Sequence, residues 1–370
     1  LHTKSLSTSA PTEGYVQEWL QEENSKPFEL SQDLPIRASL LEINENHSAL
    51  TITIHHIAAD EWSMIILQSE LMALYEAAIN DRESELPVLA VQYSDYANWQ
   101  KQWLTPDVLS AQLDYWRQQL HDAPTLLNLP LDKPRPALQT HRGRSFEFLI
   151  DAQLNKQLKT LCLGSETTQF MGLFACYAAL LSKYANAHDL VIGTPVTHRN
   201  RSELNNLIGF FVNTLPIRFK LDPRMTTMDL LGMVRQTMLE GFTNQDAPFE
   251  AIVDAVHPER SLSHAPIFQT MFVLLNASEE EIKSSNIQML PLNAEITTAK
   301  FDLALSLEEI GGALHASFEY NIDLFEESLI EKLSKHYIQI LKSMVGEPYA
   351  PILQAQLLSP EEKKEILLEF

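Results

Sequence analysis

The stretch Leu50-Thr-Ile-Thr-Ile-His-His-Ile-Ala-Ala-Asp-Glu-Trp-Ser63 changes its apolar period part-way along, and that change indicates the fold class. Leu50, Ile52 and Ile54 alternate with threonines at period two, the pattern of a strand with one buried face. From Ser63 onward Met64, Leu67, Leu71, Leu74 and Tyr75 follow helical spacing to about Asn80, with Ser63 as a plausible N-cap. Just upstream, Ile36–Ile43 reads as another strand. Between it and the strand Ala49–Ile57, Asn44-Glu-Asn-His-Ser48 supplies hairpin chemistry. Residues 14 to 25 read as a helix end.

The alternation continues to the C-terminal side. Helices are expected at about Gln92–Leu104 and Pro106–Leu120, followed by the Pro-rich run Leu129-Pro-Leu-Asp-Lys-Pro-Arg-Pro136. That run is the best candidate domain boundary. Beyond it come a strand at Ser145–Ile150, helices at Ala152–Cys162 and Gln169–Tyr184, and strands at Leu190–Pro195 and Asn213–Leu221. A helix at Met228–Gly241 leads to strands at Ile267–Leu275, Phe301–Leu307 and Leu314–Tyr320, and a last helix spans Glu326–Met344. Interleaved strands and helices in both halves imply an α/β protein with helices packed on sheets. A chain of 370 residues suggests two units, here 1–136 and 137–356, with 357–370 outside them.

Composition narrows the function. With 27 Lys plus Arg against 49 Asp plus Glu, the formal charge is −22. Sequence-independent binding to DNA or RNA needs a cationic face, so that class is disfavoured. No apolar run reaches the 18 or so residues of a membrane span. Cys162 and Cys176 are too few for a disulfide framework and fit buried thiols in a reducing compartment. A soluble, cytoplasmic chain is expected, cut from something longer because it opens on Leu1 without a Met or a leader pattern.

The sharpest chemical signal is His55-His56-x-x-x-Asp60. Adjacent residues at a strand end face opposite ways, so one imidazole can meet a cleft while the other packs inward. Asp60 in the following turn could fix the loop that orients the ring. This suits a histidine acting as general base or hydrogen-bond acceptor on a nucleophile; from the motif alone, two half-buried histidines beside a helix cap are an equal reading. The other histidines show no metal-ligand spacing and no Cys pair is available, so no metal site is expected. There is no GxSxG elbow, and no GxGxxG or Walker pattern among the 11 glycines.

Further segments carry a resemblance. They include Gln92-Tyr-Ser-Asp-Tyr-Ala-Asn-Trp-Gln-Lys-Gln-Trp-Leu104, Asp132-Lys-Pro-Arg-Pro136 with His141-Arg-Gly143, and Ile192-Gly-Thr-Pro-Val-Thr-His-Arg-Asn-Arg201. Ile208-Gly-Phe-Phe-Val-Asn-Thr-Leu215, Asn244-Gln-Asp-Ala-Pro-Phe-Glu250, Pro258-Glu-Arg-Ser-Leu-Ser263 and Pro266-Ile-Phe-Gln269 follow in order. Together with His55-His56-x-x-x-Asp60 they resemble the condensation domains of non-ribosomal peptide synthetases. Each segment is weak alone; their collinear order is specific.

The resemblance implies two chloramphenicol acetyltransferase-like lobes in a V-shaped pseudo-dimer. Donor and acceptor peptidyl carrier proteins would present acyl groups on phosphopantetheine, with no cofactor bound by the domain itself. The acceptor amine would attack the donor thioester. By carry-over His56 is the catalytic histidine, and His55, Asp60 and Trp62 lend structural support. Arg199 or Arg201 is the candidate partner of Asp60, and Asn213 and Thr214 belong to the tunnel floor. Independently of the family, Tyr93, Tyr96, Trp99 and Trp103 read as a core-facing helix stripe, Phe210 and Phe211 as inter-lobe packing, Pro248-Phe249 as a turn anchor, and Glu279–Glu281 as a solvated loop. Leu357-Leu-Ser-Pro-Glu-Glu-Lys-Lys364 resembles the linker toward an adenylation domain.

Two departures stand out. The family has Gly where this chain has Glu61, and Gly permits backbone angles that Glu does not. About the first fifth of the family's pattern also has no counterpart before Leu1. They keep open an alternative: a condensation-like interface domain without catalysis that recruits a tailoring enzyme, such as a hydroxylase, to carrier-bound aminoacyl groups.

Overall fold

The computed structural model describes residues 2–5, 13–44, 47–259, 261–275 and 298–358. Among these, the chain divides into two compact units. Of the described residues, the first takes those up to Trp103 and Thr197–Val212; the second takes Leu104–Val196, those from Asn213 to Leu275 and those from Thr298 to Leu358.

The first unit begins with β1 (His2–Ser5), α1 (Glu13–Ser25), β2 (Ile36–Asn44) and β3 (His47–Ile54). β1 pairs in parallel with β2, and β2 pairs antiparallel with β3. The hairpin register sets Leu41 opposite Ala49; both are buried with Trp19 and Leu20 of α1 in one small core. Alternation along the strands thus selects the face that α1 covers. α2 (Glu61–Ile79) and α3 (Tyr93–Trp103) follow, with a short 3-10 turn at Ser202–Leu204. A second small core joins Tyr96 of α3 to Leu204, Leu207 and Phe211.

The second unit holds α4 (Pro106–Gln119), β4 (Gly143–Ile150), α5 (Ala152–Gly164), α6 (Gln169–Ala185), β5 (Asp189–Thr197), β6 (Val212–Lys220), α7 (Thr227–Thr243), α8 (Phe249–Val256), β7 (Thr270–Leu275), β8 (Leu303–Ile310), β9 (Ala313–Asn321) and α9 (Glu327–Gly346). Its sheet has six strands in the order β4-β9-β8-β7-β5-β6. β5–β7 and β7–β8 are parallel, while β8–β9 and β4–β9 are antiparallel. This is the mixed α/β architecture expected. α6 is buried along its whole length from Met171 to Ser182, consistent with a helix that is apolar all round. Side-chain caps start four of these helices: Thr105 before Pro106, Asp151, Thr168, and a reciprocal Thr226–Asp229 capping box.

Several expectations are corrected. The Pro-rich run at 129–136 lies inside the second unit, and the division falls between Trp103 and Leu104 instead of 136 and 137. The run is pinned: Asp132 and Lys133 donate backbone N–H groups to the Leu324 carbonyl, and Arg135 grips Asp302 through two hydrogen bonds at 3.1 and 2.5 Å. Proline there shapes a docked loop. The residues 197–212 return to the first unit, which no linear split anticipates. β3 stops at Ile54, because the Ala58 N–H closes a turn on the His55 carbonyl at 2.9 Å. The cap of α2 is Asp60, and Ser63 is the residue whose N–H it accepts. Pro248-Phe249 opens α8 instead of anchoring a turn, in keeping with the helical spacing of Phe249, Ile252, Val253 and Val256, whereas no apolar period announces β1. Phe211 packs inside the first unit, against Tyr93 and Tyr96. The acidic residues Glu279–Glu281 and the segment from Pro360 to Lys364 lie outside the described residues.

Candidate active site

His56 sits in the turn after β3, exposed, with Nδ1 2.8 Å from the Ala59 carbonyl oxygen. A carbonyl can only accept, so Nδ1 carries a proton, and in the neutral form of the ring the lone pair is on Nε2. His55 is arranged the other way. The Ile57 N–H donates to His55 Nδ1 at 3.1 Å, which places the His55 proton on Nε2. Its ring meets Phe28 edge-on at 5.9 Å. One histidine therefore supports the local backbone, and its neighbour presents a basic nitrogen.

Asp60 anchors this turn from below. It is buried, and its Oδ1 accepts from the Ser63 N–H (2.9 Å), the Ser63 hydroxyl (2.6 Å) and Arg199 Nη2 (3.0 Å). Oδ2 accepts from the Phe211 N–H at 3.1 Å, and the Asp60 N–H donates to the Gly209 carbonyl at 3.1 Å. Burial alone would raise the Asp60 carboxyl. The Ser63 and Arg199 hydrogen bonds and the guanidinium charge outweigh it, so the carboxyl lies below its ordinary range.

Arg199 is the partner of Asp60, and both belong to the first unit. Its Nη1 also donates to the Leu204 (2.6 Å) and Leu207 (2.9 Å) carbonyls, and its guanidinium lies 4.1 Å over the Phe211 ring. Ser63 Oγ accepts from Arg199 Nη2 at 2.9 Å and from the Gly209 N–H at 3.0 Å, which fills its two lone pairs. Arg201 lies 4.6 Å over Trp99 and stacks there.

Glu61 is the first residue of α2, exposed and helical. It is not among the residues with positive φ, so this backbone does not require glycine, and a carboxylate suits the positive end of the helix. The Trp62 indole N–H donates to the Asn205 carbonyl at 2.9 Å, tying α2 to the same 197–212 segment.

Asn213 lies in the second unit. Its amide donates to the Gln245 (2.7 Å) and Ala247 (2.8 Å) carbonyls and accepts from the Phe249 N–H (3.1 Å), so it orders the start of α8. Thr214 follows it on β6, half-buried. The aromatic stripe of α3 is only partly interior: Tyr96 is buried, while Tyr93 and Trp103 are exposed at the surface.

Ser63, Gly209, Phe210 and Tyr93 join the site without having been singled out for it by the sequence. Gly209 was the available signal. A Cβ there would lie 2.2 Å from the Tyr93 ring, so only glycine lets that ring and the 209–211 backbone meet. The Tyr93 hydroxyl donates to the Phe210 carbonyl at 2.8 Å. Phe210 in turn meets the His56 ring edge-on, at 5.2 Å and 89°.

Among the described residues, no group of three or more His, Cys, Asp or Glu side chains is placed to hold a metal ion. No described helix is long and apolar enough to cross a membrane.

A family model described as "Condensation domain" matches residues 1–367. The chain is 42% identical over 351 residues to a component of the linear gramicidin synthase of Brevibacillus parabrevis, covering 94% of this chain and 4% of that relative. It thus spans a small fraction of that relative's length. Among solved structures, the complex of the X-domain and OxyB from teicoplanin biosynthesis superposes with a TM-score of 0.86 at 25% identity, over 97% of this chain and 79% of that chain. A holo four-domain nonribosomal peptide synthetase, AB3403, bound to AMP and glycine gives a TM-score of 0.83 at 25% identity, over 98% and 28% of the respective chains.

Proposed function

The chain belongs to the condensation-domain family, and on that premise we propose that it forms peptide bonds within a non-ribosomal peptide synthetase. Donor and acceptor groups would arrive as thioesters on the phosphopantetheine arms of two carrier proteins, with an adenylation domain nearby in the assembly. The acceptor amine nitrogen attacks the donor thioester carbon. A C–N bond forms, the C–S bond breaks, and the donor arm leaves as a thiol carrying the proton that the amine gives up.

The observation that carries this reading is the His56 Nδ1 contact with the Ala59 carbonyl, which leaves Nε2 as an acceptor for the amine proton. An amine and a thioester are already a reactive pair. Holding them together is worth roughly 7–11 kcal/mol of barrier, and a positioned base adds on the order of 10²–10⁴-fold. His56→Ala should therefore retain its fold and lose peptide formation by a factor in that range, measured with loaded donor and acceptor carriers. Undiminished peptide output from that variant would overturn the assignment of His56.

The likeness to the teicoplanin X-domain, solved with OxyB, supports a second reading in which the chain recruits a tailoring enzyme such as a hydroxylase. The higher identity to a peptide synthase and the arrangement of His56 favour condensation. Peptide formation by the wild-type chain decides between the two.

A further inference from the structure

Gly209, Phe210 and Phe211 are clamped through their backbone. The Gly209 N–H donates to Ser63 Oγ, and its carbonyl accepts from the Asp60 N–H. The Phe211 N–H donates to Asp60 Oδ2, and its carbonyl accepts from the His198 N–H at 2.8 Å. The Phe210 carbonyl takes the Tyr93 hydroxyl. Burial first, and the Asp60 charge second, hold the Tyr93 phenol above its ordinary range, so it stays a donor. Of the two phenylalanines, Phe211 is buried in the unit's core, whereas Phe210 remains 36% exposed. A packing residue has no need of so rigid a backbone while its side chain stays at the surface. What that backbone does deliver is the Phe210 ring, edge-on to the His56 imidazole.

One hydrogen bond at Nδ1 leaves an imidazole free to swing about that bond. An aromatic wall at a fixed angle removes the freedom and keeps Nε2 pointed one way. We propose that Phe210 is a positioning residue for His56, and that Tyr93 holds Phe210 in place through its carbonyl. The proposal rests on the reading of His56 as the proton acceptor.

The test uses the whole chain with ¹⁵N-labelled histidine, and His56→Gln to assign the signals. Wild type should show His56 as the Nδ1–H tautomer. Phe210→Leu keeps an apolar side chain but no ring, and Tyr93→Phe removes a single hydroxyl. Both should move His56 toward an average of the two tautomers, and Phe210→Tyr should restore the wild-type signal. In the two-carrier assay both variants should lower kcat about tenfold, with KM for either loaded carrier unchanged, since small misplacements of a reacting group act on the chemical step. Imidazole signals unchanged in both variants would overturn the proposal, as would a rise in KM with kcat intact. If the spectra change as expected but wild type forms no peptide, the condensation reading fails while the positioning of His56 by Phe210 stands. Tyr93→Phe keeps the test decisive should Phe210→Leu fold poorly.

Discussion

Arg199 Nη2 lies 3.0 Å from Asp60 Oδ1, and the two side chains are only 4% and 1% exposed. The pair joins the segment between β5 and β6 to the turn that carries His56, across 139 residues of chain. Ser63, Leu204, Leu207 and Phe211 take up most of the remaining hydrogen-bonding capacity of the guanidinium and the carboxylate, while the Arg199 Nε–H is buried without a partner among the described residues. A buried pair stabilises only as far as that capacity is filled, and the orphaned Nε subtracts from this one.

Removing both partners should therefore cost less than the two single losses added together. Arg199→Met leaves a buried carboxylate uncompensated and is expected to destabilise the first unit by about 3–5 kcal/mol. The double variant Asp60→Asn with Arg199→Met should lose less than the sum of the single effects. Urea melts read by tryptophan fluorescence measure this; a loss below about 1 kcal/mol for Arg199→Met would contradict it.

Acid should release the same anchor. The Asp60 carboxyl is held below its ordinary value of 3.8 in the folded chain. A group depressed on folding stabilises above its unfolded pKa, and that contribution is lost as pH falls through the folded value. The first unit should thus weaken below about pH 4, with a shallower acid dependence in Asp60→Asn. Parallel acid melts of the two proteins check the difference in slope.

The His55-His56-x-x-x-Asp60 motif and the α/β alternation were legible because both are local: period and turn chemistry lie within a dozen residues. What sequence left open was decided by distant partners. Asp60 and Ser63 are both good caps three residues apart, and the Ser63 hydroxyl is claimed instead by Asp60, to which it donates, and by the N–H of Gly209, 146 positions away, from which it accepts. Arg199 and Arg201 were equivalent as candidates until Arg201 found Trp99. The Pro-rich run signalled a break that tertiary bonds to Asp302 and Leu324 turned into a docked loop. α8 carries helical spacing at Phe249, Ile252, Val253 and Val256, but its eight residues fall short of the length at which period separates a helix from a turn.

Glu61→Gly tests whether the departure at that position matters. Glu61 occupies a helical position at the start of α2, so glycine should cost about 0.5–1 kcal/mol of helix stability. Peptide formation should stay within a few-fold of wild type, because no glycine-only backbone conformation is present there. A chain that is inactive as wild type and becomes active as Glu61→Gly would show that the carboxylate disables the site.

Asn213 should behave as a structural clamp in the second unit. Asn213→Ala removes three hydrogen bonds around the start of α8 and should destabilise by about 2–4 kcal/mol, combining a lost cap with unsatisfied backbone groups. Asn213→Asp should not rescue, since a carboxylate would face the Gln245 and Ala247 carbonyls. Rescue by aspartate in thermal melts would rule out this role.

Gly209→Ala addresses the contact on which the His56 surroundings depend. The added methyl would fall 2.2 Å from Tyr93 Cδ2, 2.7 Å from Cε2 and 2.8 Å from Phe211 Cε2. Both rings are packed, against Tyr96 and each other, so neither can yield without moving the backbone. Overpacking of this kind typically costs about 1–3 kcal/mol. The backbone that moves carries the Phe210 carbonyl and ring, so turnover should fall by more than the stability loss alone explains. Tyr93→Ala in the Gly209→Ala background removes the two shortest contacts and leaves the one to Phe211 Cε2, so it should recover part of the stability but not turnover, because the hydroxyl that held Phe210 is gone. Recovery of both together would show that the Tyr93 hydroxyl plays no part in holding the site.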